Sequence, residues 1–201
     1  MTLRITLSIG LAVAALAVNE GAVVGLGSTS GDQLVMFRAT AGTVPTYELV
    51  VSRSDGSALR VLVGRSNRRP VSPRLFGSTS WSPDGKRLAF TGFPARFDDP
   101  RSDLYTVRAD GTGLRRLTRT GRALAPAWSP DGQTIAYAQR ADHSAGPPFS
   151  ATLWVLDVKG ARTRQLWPGV PGRVDVPGSW SPDSKRIAFT RAFVNRESGA
   201  A

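Results

Sequence analysis

Trp81-Ser-Pro-Asp-Gly-Lys-Arg-Leu-Ala-Phe90 returns as Trp128-Ser-Pro-Asp-Gly-Gln-Thr-Ile-Ala-Tyr137, and again as Trp180-Ser-Pro-Asp-Ser-Lys-Arg-Ile-Ala-Phe189. The tryptophans stand 47 and then 52 residues apart. A unit repeating near this period signals a solenoid or a propeller, and it outranks any reading of a single segment. Each copy reads as strand, tight turn, strand. Proline presets φ at the second turn position, and the aspartate can bond its own backbone. Gly85 and Gly132 stand where the chain must take positive φ to begin the return strand. Ser184 fills that place in the third copy. A side chain there carries a steric cost, so the third hairpin is expected to be the least regular.

After the turn come Leu88-Ala-Phe90, Ile135-Ala-Tyr137 and Ile187-Ala-Phe189. Alternate residues of a strand share a face, so two large side chains point one way and a small alanine the other. That asymmetry suits a sheet covered on both sides, with one neighbour approaching closely at the alanine. A second unit follows the first two decapeptides. Asp103-Leu-Tyr-Thr-Val-Arg-Ala-Asp-Gly111 is echoed by Thr152-Leu-Trp-Val-Leu-Asp-Val-Lys-Gly160, each followed by a strand reaching Leu117 or Leu166. Asp110-Gly111 and Lys159-Gly160 mark a second hairpin turn. One repeat is therefore four short antiparallel strands, the unit of a propeller blade.

The pattern Trp-Ser-Pro-Asp-Gly-x-x-Leu/Ile-Ala-Phe/Tyr, then Asp-Leu-Tyr with Asp-Gly, then Arg-x-Leu-Thr, resembles the WD40-like PD40 repeat of TolB-type β-propellers. The resemblance covers roughly residues 30 to 191. It implies an all-β fold of four-stranded antiparallel blades. It does not select one function. Such blades occur in a periplasmic Tol protein, in the propellers of prolyl-oligopeptidase-like peptidases and in other envelope proteins.

Residues 1–18 fit a secretory signal: Arg4, then an uncharged run from Ile5 to Val18, with small residues at Ala15 and Ala17. The run is too short for a membrane-spanning helix of about twenty apolar residues. Blades are expected at about 22–64, 75–118, 122–167 and, in part, 176–191, with a polar tail at 192–201. The first blade lacks the Trp-Ser-Pro turn, and Ala22 to Leu26 is the only candidate for its first strand. The strands then number about three, four, four and two. That is an incomplete ring, since propellers close with about four to eight blades. The strand from Trp180 to Thr190 would be a bare edge open to self-association. The expected explanation is a truncated propeller.

The chain has 201 residues, no cysteine and a formal net charge of +11. Disulfides and thiolate metal sites are excluded. The arginines spread over every repeat instead of forming one run, and the aromatics occupy packing positions. No nucleic-acid partner is therefore expected, whereas an anionic envelope surface is compatible with the charge. The single histidine, His143, lies in a loop, and no Gly-x-Ser-x-Gly elbow accompanies it. Asp98, Asp99 and Asp103 could offer oxygen ligands to calcium but read better as loop solvation and strand capping. Asp84, Asp131 and Asp183 recur once per repeat as turn residues and do not converge on one site. No catalytic, cofactor-binding or metal residue is expected, and no cofactor. The expectation is an exported, non-enzymatic scaffold that binds a protein partner through loops 92–102 and 140–150. The alternative is the propeller part of a prolyl-oligopeptidase-like peptidase.

Overall fold

The computed structural model describes residues 16–18, 21–30, 32–40, 46–64, 75–93, 101–141, 150–160 and 162–194. The described elements are all β-strands. The first sheet holds β1 (Leu16–Val18), β2 (Gly21–Ser30), β3 (Gln33–Thr40), β4 (Thr46–Arg53) and β5 (Arg60–Val63), paired in that order. The second holds β6 (Leu75–Trp81), β7 (Arg87–Phe93), β8 (Asp103–Arg108) and β9 (Arg115–Arg116). β10 (Ala123–Trp128), β11 (Thr134–Arg140), β12 (Ala151–Asp157) and β13 (Thr163–Gln165) form the third. A fourth unit pairs β14 (Arg173–Trp180) with β15 (Ile187–Phe193).

Within each sheet the ladder is antiparallel. One parallel bridge, Ala151↔Val174, ties the third sheet to the fourth, and Ser102↔Arg122 ties the second to the third at the matching place. The first strands lie side by side in series: β2 by β6, β6 by β10, β10 by β14. Sheets that fan out from a line of inner strands make a propeller, and this one is not closed.

The side-chain asymmetry read from the decapeptide governs the packing. Leu88 and Phe90 face the first sheet, in one cluster with Val35, Phe37, Leu49 and Leu62. Ala89 faces the other way, with Leu104, toward Trp128, Ile135 and Tyr137 of the third sheet. Leu88, Ala89, Phe90, Ile135, Ala136 and Tyr137 are all fully buried. Burying each large apolar side chain contributes roughly 1.5–3 kcal/mol, so most of the stability resides between sheets. Phe90 stacks on Tyr105 across the ladder, with ring centroids 5.6 Å apart.

Observed strand bounds differ from the expected ones. In the 201-residue chain the first sheet has five strands, because β1, at the end of the segment read as a signal, pairs with β2; cleavage after residue 18 would leave the four strands β2 to β5. Its first hairpin closes with the pair Ser30↔Gln33, so the missing Trp-Ser-Pro turn costs no strand, and β2 runs well past Leu26. The last unit spans 173–193, because residues 173–178 are ladder and Ala192 and Phe193 belong to β15. The third Trp-Ser-Pro hairpin is also regular at its turn. Ser184 takes φ +59°, beside +66° at Gly85 and +70° at Gly132. The strain is held by a new bond: the Asp131 amide donates to Ser184 Oγ at 3.0 Å, joining two turns of neighbouring sheets. What remains of the expectation is that β15 starts one residue later than its counterparts.

Candidate functional site

Up-and-down strands send the described hairpin turns of the sheets to one end of the stack. The far ends of the second and third strands lie at the other end, with the described connections that lead into β10 and β14. The two ends have different chemistry.

At the turn end, each Ser-Pro-Asp unit is a closed staple. Ser82 Oγ donates to Asp84 Oδ1 at 2.6 Å, and that oxygen also accepts from the Lys86 amide at 3.1 Å. Ser129 and Asp131 repeat this at 2.6 Å, and Ser181 and Asp183 at 2.5 Å. These serine hydroxyls, then the backbone amides two residues on, hold all three carboxyls below the usual aspartate range. They stay ionised and bonded, one per sheet, which is the chemistry of a turn. A groove of about 580 Å³ opens between the second and third sheets, lined among others by Arg87, Arg115, Trp128 and Lys159.

The loop end carries two buried carboxylates in basic knots. Asp103, at the start of β8, accepts from Thr118 Oγ1 at 2.6 Å, from the Gly121 amide at 3.2 Å and from the Arg116 guanidinium. Both its oxygens are engaged in tying β8 to the connection that leads into β10. Asp98 and Asp99, which the sequence grouped with it, and His143 lie outside the described residues. Asp175 is fully buried in β14. It accepts from Arg191 Nε at 2.8 Å and Trp167 Nε1 at 2.9 Å, with Arg173 Nε at 3.3 Å. Burial alone pushes its carboxyl up. The Arg191 and Trp167 hydrogen bonds and the two arginine charges outweigh that and hold it below the usual range.

Sequence reasoning passed over Asp175, because the prolines and glycines of 168–178 read as a connection. The available signal was Val174-Asp175-Val176: strand alternation with the carboxylate on the opposite face from two valines. Arg140, at the end of β11, donates to Ser102 Oγ at 3.3 Å and to the Gly121 carbonyl at 3.4 Å. Burial, then the neighbouring Arg122 charge, lowers its affinity for its proton. Beyond Arg140 the Ala141 amide donates to the Ser150 carbonyl at 2.9 Å and closes the base of the second loop. Among the described residues no group of three or more His, Asp or Glu side chains is placed to hold a metal ion.

The stacked sheets and the repeated staple match a known domain, the TolB beta propeller domain, over residues 30–196. The chain belongs to the TolB β-propeller family. Among curated relatives, the Tol-Pal system protein TolB of Anaeromyxobacter dehalogenans strain 2CP-1 is 31% identical over 135 residues, 67% of this chain and 27% of that protein. Dipeptidyl-peptidase 5 of Porphyromonas gingivalis is 31% identical over 152 residues, 71% of this chain and 21% of the peptidase. The chain thus spans about a quarter of the length of the relatives it matches. Among solved structures, a TolB from Agrobacterium tumefaciens superposes with a TM-score of 0.61 at 21% identity, covering 88% of this chain and 58% of that one. A prolyl endopeptidase superposes with a TM-score of 0.62 at 17% identity, covering 85% and 26%. At these identities the structural likeness speaks for the fold. TolB-like blades thus serve both Tol-Pal proteins and peptidases.

Proposed function

We propose that this TolB-family chain is an exported, non-enzymatic scaffold that holds a protein partner at its loop end, in the periplasm or beyond. The observation that carries the reading is the closed loop base. The Ala141 amide donates to the Ser150 carbonyl at the end of the β11–β12 ladder, so the frame is closed up to the base of the segment 142–149. Loops on a rigid frame are where binding concentrates. The names of the Tol-Pal relatives support a partner that is a protein, and the amino-terminal apolar run supports export.

The test replaces residues 142–149 with Asn-Gly and places a photo-crosslinking residue at Ser144 or, on the opposite end, at Gln133, in cells. Unchanged melting of the loop variant, with adducts from Ser144 and none from Gln133, is the expected result. Undiminished partner capture by the loop variant would overturn it. For export, mass spectrometry of the envelope fraction should find an amino terminus near residue 18; an intact Met1 there would reject cleavage.

A second reading, the propeller part of a peptidase, is favoured by the dipeptidyl-peptidase 5 likeness. A reading frame that continues through further blades to a Gly-x-Ser-x-Gly segment would decide for it.

A further inference from the structure

We propose that the groove between the second and third sheets, at the turn end, binds a small amphiphilic anion: a flat apolar body carrying a carboxylate or a phosphate. The site is independent of the loop contact proposed above. It lies in the middle of the stack, walled by the turns that join β6 to β7, β10 to β11 and β12 to β13. Its volume of about 580 Å³ falls inside the range of about 300–1,000 Å³ typical of small-molecule pockets. A slot between two stacked sheets suits a flat body.

The floor is apolar. Leu117, Trp128 and Val158 line the groove, and the same three belong to the buried cluster between these sheets or pack against it. Trp128 is 9% exposed, and its Nε1 has no hydrogen-bond partner among the described residues. Trp180 Nε1, at the equivalent place, donates to the Ala127 carbonyl of the preceding sheet at 2.9 Å. A buried donor without an acceptor is unfavourable, so an oxyanion within reach of Trp128 is favoured there.

The rim is cationic. Arg87 opens β7, Arg115 opens β9, and Lys159 sits in the turn after β12. All three are exposed. Among the described residues, none of the three side chains makes an ion pair or a hydrogen bond. Asp84 and Asp131 share the rim, but each already accepts from its own serine hydroxyl and from a backbone amide. Three uncommitted cations thus face two carboxylates that are already bonded. A guanidinium fork matches carboxylate and phosphate through paired N–H donors. An apolar body laid on the floor removes Leu117 and Val158 from water. Neither half of the ligand suffices alone.

The probes are 1-naphthyl phosphate and 1-naphthoate, titrated calorimetrically into the 201-residue chain. NMR follows the indole N–H resonances, with Trp128 assigned through Trp128→Phe. Saturable binding that moves the Trp128 resonance most is expected, and the tighter of the two probes identifies the oxyanion. 1-Naphthol and inorganic phosphate should each bind at least about tenfold more weakly, the scale of one hydrogen bond to a charged group. Arg87→Gln/Arg115→Gln should weaken the probes by at least about the same factor, with melting unchanged. Lys159→Gln repeats that test from a different turn. Equal affinity for 1-naphthol, tighter binding of 1-naphthylmethylamine, undiminished binding by these variants, or no saturation at millimolar probe would overturn the proposal. The variant with residues 142–149 replaced should bind the probes unchanged, so this site and the loop contact fail separately.

Discussion

At the scale of single residues, the repeat is held by a serine that works in both directions. Ser129 is 1% exposed; its hydroxyl serves Asp131, accepts from the Thr134 amide and reaches the Thr134 carbonyl. Ser129→Ala leaves those groups short of a partner in a buried turn, and about 1–3 kcal/mol is the expected loss. Urea denaturation should show this as a lower midpoint at unchanged slope. Ser181→Ala, the same change at a serine that is only partly buried, should cost less, and equal costs would refute the role of burial.

Asp175 answers to pH. Its folded carboxyl titrates below the unfolded one, so its contribution is complete above the unfolded pKa of about 3.9 and is lost as pH falls through the lower folded value. Asp175→Asn should be less stable at pH 7 and show a flatter fall in stability from about pH 5 downward. Parallel acid titrations of the two proteins, followed by tryptophan fluorescence at Trp167, check the sign.

At the scale of elements, the decapeptide's large–small–large strand decides how sheets stack. Ala89 and Ala136 are fully buried on the sides that face the next sheet, so they set how closely neighbours approach. Ala89→Leu should overpack the contact with the third sheet, at about 1–3 kcal/mol. Phe90→Ala opens a cavity against the first sheet, at about 3–5 kcal/mol. Phe189→Ala, at a partly exposed counterpart, should cost clearly less than Phe90→Ala, and thermal melts of the three variants rank them.

This periodicity was legible, because turn chemistry and strand alternation repeat as local patterns of a few residues. The bulges in β6, β10 and β14 were not. They depend on the neighbouring sheet, as where the Ala125 amide donates to Thr91 Oγ1 and the Trp128 amide to Ser80 Oγ. Asp175 was hidden for a similar reason. Its partners, Trp167 and Arg191, lie 8 and 16 residues away and meet it only once β14 and β15 have paired.

At the scale of the whole molecule, each sheet is covered by its neighbours, so protection should grade along the stack. The second and third sheets are packed on one another, and their strands β7, β8, β11 and β12 carry most of the fully buried residues. The fourth unit has β14 partly buried and β15 mostly exposed. An array of units stabilised by nearest neighbours opens from its least covered member. Native-state hydrogen exchange should therefore find the slowest amides at Phe90, Ala136 and Tyr137. The β14–β15 amides should exchange faster, through an opening that leaves the second and third sheets closed. Asp175 ties β14, β15 and Trp167 together, so Asp175→Asn should speed exchange in β14 and β15 and leave Phe90 untouched below the global unfolding limit. If one rate governed all four sheets, the fourth unit would be as firmly seated as the rest, and stacking between sheets could not be the main source of stability.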